Sequence, residues 1–164
     1  MTSKYCVIIL NTLTLEIDMK KYNIGYTSGV YDMFHIGHLN IIRNAKQLCD
    51  KLIVAVSTDE LVINAKGVIP IIPFDERLQI VQALRYVDQT VAQESYAIEG
   101  KIKAAKEYGV DVIFVGDDWK GSAKWNSIEQ QLAEIGVDVV YLPHTDGISS
   151  TMLREILKDE KCKT

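Results

Sequence analysis

His35 and His38 stand three residues apart in the segment HIGH, with Gly37 between them. The segment follows an apolar run that ends in glycine and opens a run with helical spacing, so we predict that both histidines lie in the first turn of a helix that follows a strand. Side chains three residues apart project from the same side of a helix, and the unpaired N–H groups of its first turn attract phosphate. Two imidazoles placed there could donate hydrogen bonds to a phosphoryl group and stabilise the negative charge that develops on it in a transition state. The spacing favours phosphate chemistry, and the alternatives are two structural histidines or two ligands of a zinc site.

A second segment that could bind phosphate at a helix start covers residues 144–151 and reads HTDGISST. Gly147 permits an unusual backbone angle, and Ser149, Ser150 and Thr151 offer hydroxyl and amide groups at the start of the last predicted helix. Capping needs one hydroxyl, so three of them favour a bound anion, although simple capping is the alternative. We predict that this helix start and the HIGH turn lie at the same sheet edge and converge on a nucleoside triphosphate.

Other polar residues follow the remaining predicted strands. Asp117 and Asp118, in GDDWKG, could accept hydrogen bonds from the amino group of a base or help to hold a metal, or they could form a solvated acidic turn. Lys66 lies in a predicted loop and could reach phosphates or remain an ordinary surface lysine. Arg77 is of the type that commonly forms an ion pair to pack a helix against a loop.

The elements that must position these residues alternate along the chain. Short apolar runs predict five strands, and runs with helical spacing predict the helices between them, which indicates a parallel sheet. The predicted strands are 22–29, 51–57, 88–93, 111–119 and 137–143, and the predicted helices are 38–49, 73–87, 97–109, 126–136 and one that begins near residue 149. The fold class is therefore α/β, a single Rossmann-like three-layer domain. We predict that residues 19–164 form this domain and that residues 1–18 are an extension, either an extra edge strand or a segment without chemistry.

Composition limits the classes of function. The chain has 164 residues and a net charge of -4, so it carries no broad cationic field for nucleic acid or an anionic membrane. Three distant cysteines without a CxxC pattern favour reduced thiols, and no apolar stretch reaches the ~20 residues of a membrane span. We predict a cytoplasmic protein that binds no nucleic acid. HIGH also occurs in aminoacyl-tRNA synthetases, but this chain has no KMSKS-like string and no basic surface.

Several blocks together resemble the glycerol-3-phosphate cytidylyltransferase family, within the nucleotidylyltransferase superfamily that carries an HxGH signature. The blocks are SGVYDMFHIGHLNIIRNAK, VSTDE, LRYVD, VGDDWKG and YLPHTDGISSTMLREI, and they extend from about Tyr22 to Leu157. The resemblance implies the HxGH nucleotidyltransferase type of fold and transfer of CMP from CTP to a phosphorylated alcohol. It further implies that glycerol 3-phosphate is the acceptor, that CDP-glycerol and pyrophosphate are the products, and that Mg²⁺ accompanies CTP. By the same resemblance we expect a homodimer that makes a cell-wall or capsule precursor.

The resemblance also implies roles for individual residues. His35, His38 and Lys66 would be catalytic, and Lys66 and Arg77 would approach the acceptor phosphate. No protein side chain is assigned to a metal. The nucleotide would be bound by Ser28, Gly29, Val30, Asp32, Gly37, Asp118, His144, Gly147, Ile148, Ser149, Ser150 and Thr151.

Two positions depart from the family pattern, and both fall where phosphate or acceptor should bind. His144 stands where arginine is common, which removes a permanently charged fork. The family often has two lysines after STDE, whereas this chain has Lys66 alone there. Phosphocholine, phosphoethanolamine, a phosphonate or another phosphopolyol are alternative acceptors, and a catalytically silent nucleotide-binding module is the alternative function.

Overall fold

A computed structural model of the protein describes residues 22–161. Five parallel strands form one sheet in the order β3-β2-β1-β4-β5. The strands are β1 (Tyr22–Gly29), β2 (Cys49–Ser57), β3 (Gln89–Gln93), β4 (Val112–Gly116) and β5 (Asp138–Leu142). The helices are α1 (Ile36–Gln47), α2 (Asp59–Lys66), α3 (Phe74–Gln82), α4 (Ile98–Tyr108), α5 (Ala123–Ala133) and α6 (Ser150–Lys161).

Both faces of the sheet are covered, as the continuous apolar sequence of β2 predicts. Alternate residues of β2 belong to two different cores: Leu52 and Val54 pack on the side of α1 and α3, whereas Ile53 packs on the side of α4 and α5. All three side chains are fully buried. The structure therefore confirms the predicted three-layer α/β fold with a five-stranded parallel sheet.

The strand order places a topological switch point at the centre of the sheet. The chain moves from β1 outwards to β3 and then returns to add β4 on the other side of β1. Connections that leave neighbouring strands in opposite directions open a crevice beyond their carboxyl ends, where α/β proteins bind ligands. The loops after β1 and β4 carry the HIGH turn and the two aspartates of GDDW, so the predicted site lies at this crevice.

Several element boundaries differ from the predictions. The segment around Lys66, which is predicted to be a loop, contains α2. This helix begins after Thr58, whose hydroxyl accepts a hydrogen bond from the Leu61 amide. It ends before Gly67, which has φ +65°. Lys66 is thus the last residue of a helix. The fourth strand ends at Gly116, because residues 117–119 form a 3₁₀ turn, and α3 ends at Gln82, well before residue 87.

Predictions for the extension of residues 1–18, and for two of the three cysteines, fall outside the described residues. Cys49 is buried, and its thiol donates a hydrogen bond to the carbonyl of Ala45 at 3.3 Å. Within residues 22–161, no helix combines the length and the apolar character needed to cross a membrane.

Candidate active site

The HIGH turn forms the start of α1, as predicted. His35 is the N-cap residue of this helix, and its Nδ1 accepts a hydrogen bond from the Gly37 amide at 3.1 Å. Because an accepting Nδ1 carries no proton, the proton of the neutral ring lies on Nε2. A Cβ atom at Gly37 would lie 2.9 Å from Cε1 of His35, so glycine is required for the ring to fold back onto the helix start.

His38 is held by aromatic neighbours. Its ring stacks on His35 with 3.8 Å between centroids and contacts Tyr31 and Phe34 at 5.3 and 5.5 Å. Burial, followed by the proximity of His35, lowers the pKa of His38 to about 3, although Asp32 acts in the opposite direction. Burial and His144 also lower the pKa of His35. Both imidazoles are therefore neutral near pH 7, and each offers one N–H donor.

Asp32 joins three segments of the chain. Its carboxylate accepts from the amides of Ile71 and Ile72 at 3.0 and 2.9 Å and pairs with the guanidinium of Arg154. Asp32 is 2% exposed. This placement differs from the predicted nucleotide contact, because the carboxylate is turned towards partners inside the protein. Asp32 is a positioning residue in this structure.

The backbone around Asp32 is strained. Tyr31 and Met33 have φ values of +56° and +47°, a region that residues other than glycine seldom adopt. The hydrogen bonds and the ion pair of Asp32 hold the loop in this conformation. The loop in turn sets the direction from which the chain enters α1.

The start of α6 lies against the start of α1. Ser150 Oγ donates to the carbonyl of Asp32 at 2.8 Å, and Asn40 Nδ2 donates to Thr145 Oγ1 at 3.0 Å. Gly147 has φ +78°, as its predicted role requires. Ser149 Oγ also accepts from the Met152 amide, which is ordinary capping. The predicted convergence of the two helix starts is therefore present in the structure.

A cavity of about 550 Å³ opens next to this pair of helix starts. It is lined by seven residues that the sequence analysis named, together with aromatic and apolar side chains. The seven are Ser28, Gly29, Val30, His38, Lys66, Asp118 and His144. His35 is stacked on His38 at the cavity's edge, whereas Gly37 and residues 147–151 flank the turn and are not part of the lining.

The structure does not place Arg77 at the acceptor. Its side chain is fully buried and donates to the carbonyl of Ile72 at 2.8 Å, to the carbonyl of Val30, and to Asp59 at 2.6 Å. All of these partners belong to the protein, so the guanidinium has no free face for a phosphate. Arg77 therefore does not make the predicted contact with the acceptor. It forms an internal ion pair that packs its helix against neighbouring segments, which is the alternative given for this residue.

Sequence reasoning missed one side of the cavity. Gln93 Nε2 donates to Ser28 Oγ at 3.2 Å, Ser57 Oγ donates to Gln93 Oε1 at 2.9 Å, and the hydroxyl of Tyr96 donates to Ser57 Oγ at 3.0 Å. Lys101 of α4 lies beside them and is 6% exposed. Gln93 and Ser57 end their strands, which could have drawn attention to them. Nothing in the spacing of Lys101 marks it as buried.

Positive charge dominates the cavity. Lys66, Lys101 and Lys124 all line it, whereas Asp118 is the carboxylate among the described lining residues. The exposed indole of Trp119 also lies on the lining, next to Asp118 in the chain. Such a cavity can bind an anion and, near Asp118 and Trp119, a planar ring with hydrogen-bond donors.

The described residues do not form a resident magnesium site. No group of three or more His, Cys, Asp or Glu side chains among residues 22–161 could hold a metal ion. Asp32, which lies closest in sequence to the HIGH turn, is occupied by amides and Arg154. Mg²⁺ is often bound mainly by substrate phosphates. The Mg²⁺ implied by the family resemblance stays a prediction, in which substrate phosphates supply most of the ligands.

A parallel sheet with two helix starts and a cationic cavity at its switch point defines a nucleotide-binding protein of the Rossmann-like class. A family model described as cytidylyltransferase-like matches residues 26–156. The glycerol-3-phosphate cytidylyltransferase of Bacillus subtilis (strain 168) is 36% identical over 129 residues, which cover 79% of this chain and 92% of that protein. An FAD synthase of Pyrococcus abyssi (strain GE5 / Orsay) is 37% identical over 118 residues, 71% of this chain and 77% of that protein.

A solved structure agrees with the fold. The lipopolysaccharide core biosynthesis protein from Thermoplasma volcanium GSS1 superposes with a TM-score of 0.63 at 25% identity and covers 77% of this chain and 98% of that one. The chain belongs to the cytidylyltransferase-like family, and it is a nucleotidyltransferase. The family resemblance seen in the sequence motifs is therefore confirmed.

Proposed function

We propose that the protein transfers CMP from CTP to a phosphorylated alcohol and that glycerol 3-phosphate is its preferred acceptor. The observation that carries this proposal is the pair of stacked, neutral imidazoles at the start of α1, next to a cavity with three lysines. The similarity to a glycerol-3-phosphate cytidylyltransferase over most of both chains supports the choice of acceptor.

The proposed reaction is a single in-line displacement. An oxygen of the acceptor phosphate forms a bond to the α-phosphorus of CTP, and the bond from that phosphorus to the bridging oxygen breaks and releases pyrophosphate. His35 and His38 donate hydrogen bonds to phosphate oxygens, which become more negative as the displacement proceeds. Mg²⁺ bound to the triphosphate would supply further charge neutralisation.

The remaining residues position the two substrates. Lys66, at the end of α2, neutralises charge between donor and acceptor phosphates. Asp118 accepts a hydrogen bond from the amino group of cytosine. The amide and hydroxyl groups at the start of α6 bind the triphosphate from the side of His35. Asp32 and Arg77 hold these segments in place and contact neither substrate.

The test is a product screen. The purified protein is incubated with Mg²⁺, with CTP or ATP, and with a panel that contains glycerol 3-phosphate, phosphoethanolamine, phosphocholine and other phosphopolyols. We expect pyrophosphate release and a CDP-alcohol identified by mass, with the highest kcat/KM for glycerol 3-phosphate. Activity with ATP alone would overturn the cytidylyl assignment. If CTP binds but no pyrophosphate is released with any acceptor, the silent module is the correct function.

A further inference from the structure

The third histidine of the chain lies at the same cavity as the two histidines of the HIGH turn. The sequence contains three histidines, and His144, which follows β5, lines the cavity together with His38. His144 also lies close enough to His35 to lower its pKa, after the larger effect of burial. The family resemblance counts His144 among the nucleotide-binding residues, but it does not say in which protonation state this residue acts.

Two hydrogen bonds hold the segment of His144 at the edge of the cavity. The His144 amide donates to Oδ1 of Asp117 at 3.0 Å, and Thr145 Oγ1 accepts from Nδ2 of Asn40 at 3.0 Å. The first bond joins the segment to the turn after β4, and the second joins it to α1, the helix that contains His38. These contacts set the position of the segment, whereas the side chain of His144 stays exposed.

Among the three imidazoles, that of His144 is the best placed to carry a proton. Burial disfavours the charged form of an imidazole, and it is the main cause of the lowered pKa values of His35 and His38. The exposed imidazole of His144 keeps most of its hydration when it is charged. The cluster therefore combines two neutral donors with one residue that can become a cation in the range where imidazoles titrate.

The charged and titratable groups around His144 influence its protonation. They come from α1, α2, α4, α5, the turn after β4 and the segment of His144 itself, and they are His35, His38, Lys66, Lys101, Lys124, Asp117, Asp118 and Asp146. The carboxylates favour a protonated imidazole, and the lysines disfavour it. A polyphosphate bound in the cavity adds several negative charges, so it shifts this balance towards the protonated form.

We propose that His144 binds the polyphosphate of the nucleotide in its protonated form, so that the affinity of the cavity for nucleotide rises as the pH falls. This inference rests on the proposed function and adds a pH-dependent contact to its nucleotide site. The sign follows from linkage: the complex holds the proton of His144 more tightly than the free protein does, so binding takes up protons and low pH favours it. At high pH the neutral imidazole can still donate one hydrogen bond, but its charge is lost.

The affinity test compares wild type with His144→Asn, which stays neutral, and with His144→Arg, which carries a permanent charge. CTP and inorganic tripolyphosphate are titrated calorimetrically into each protein from about pH 5.5 to about pH 8, the range in which imidazoles change charge. Relative to His144→Asn, the affinity of wild type should fall roughly fivefold over this range, as for loss of an exposed charge pair.

Protonation of the phosphates themselves affects the three proteins alike, so the comparison isolates His144. His144→Arg should bind both anions at least as tightly as wild type at the upper end of the range, and its pH profile should match that of His144→Asn. Equal pH profiles in wild type and His144→Asn would overturn the inference.

Nuclear magnetic resonance of the imidazoles separates this inference from the proposed function. Each of the three signals is assigned by its absence from His35→Ala, His38→Ala or His144→Asn. Addition of tripolyphosphate should displace the pH-dependent shift of the His144 signal to higher pH. Tripolyphosphate carries no base and needs no turnover, so this result supports the inference even if no CDP product forms. A His144 signal whose pH dependence tripolyphosphate leaves unchanged would show that the inference is wrong, whatever the outcome of the product screen.

Discussion

The two histidines of the HIGH turn are neutral donors rather than paired cations. The amide of Gly37 fixes the tautomer of His35, and the rings of Tyr31 and Phe34 lie against the ring of His38. The buried Nδ1 of His38 has no hydrogen-bond partner in the described part of the chain. A neutral donor costs little to hold in a partly buried site, and its hydrogen bond strengthens as charge develops on the phosphoryl group.

Replacing either imidazole tests this role. For His35→Ala and His38→Ala we expect kcat to fall by roughly 10²-fold or more, because each variant loses a donor to the transition state. The measurement is steady-state pyrophosphate release at saturating substrates, with far-ultraviolet circular dichroism as the control for folding. Near-normal turnover in one of the folded variants would show that its imidazole has no catalytic role.

The burial of His38 also predicts a dependence of stability on pH. The unfolded chain protonates this histidine near pH 6.5, whereas the folded protein does so only near pH 3. Between these values the unfolded state binds more protons, so the free energy of unfolding falls as the pH is lowered from 6.5 towards 3. Urea denaturation of wild type and His38→Asn at several pH values measures the effect. The variant should lose less stability over this range, and parallel curves would contradict the assigned burial.

At the scale of elements, the site depends on contacts between segments that are distant in sequence. Asp32 ties the loop before α1 to the segment before α3 and to α6. Arg77 ties α3 to the end of the same segment and to α2 through Asp59. These hydrogen bonds and ion pairs hold the two helix starts at a fixed separation. Electrostatic stabilisation of a transition state requires such preorganisation.

Arg154→Met tests the ion pair between Arg154 and Asp32. The change leaves a buried carboxylate without its cation, so we expect a loss of about 2 kcal/mol of stability, which is below the ~3–5 kcal/mol of a fully buried pair because Arg154 is partly exposed. The KM for CTP should also rise, since α6 loses one of its anchors. Urea denaturation and CTP kinetics provide the two readouts. Lys158→Met, at an exposed position of the same helix, is the control and should change neither.

At the scale of the whole molecule, a net negative charge is combined with a cationic cavity. Its net charge is -4, yet three lysines line one cavity at the switch point of the sheet. Attraction of substrate is therefore local. Binding should depend on ionic strength much less than for a protein that grips a polyanion along a basic surface.

The oligomeric state stays a prediction of the family resemblance. We expect a homodimer with about twice the chain mass of 18.5 kDa. Light scattering coupled to size exclusion measures this mass directly at several protein concentrations. A monomer at all concentrations would contradict the prediction, and the site described above, built within one chain, would not change.

Local signals in the sequence were sufficient for the layered fold and for the position of the HIGH turn. Periodicity separates strands from helices, and glycine marks the ends of several of them, because these properties depend on a few neighbouring residues. The missed helix α2 had such signals as well: a threonine cap, two acidic residues in the first turn and a terminal glycine.

Tertiary structure alone decided which charged residues face the cavity. The side chains of Asp32 and Arg77 contact partners inside the protein that lie up to 122 positions away in the sequence. Lys101 is buried by other elements, and the sequence of its own helix does not predict this burial. A charged side chain can be exposed to solvent, form an internal ion pair or bind a ligand. The choice among these depends on the partners that folding brings within hydrogen-bond distance, and those partners have no fixed spacing along the chain.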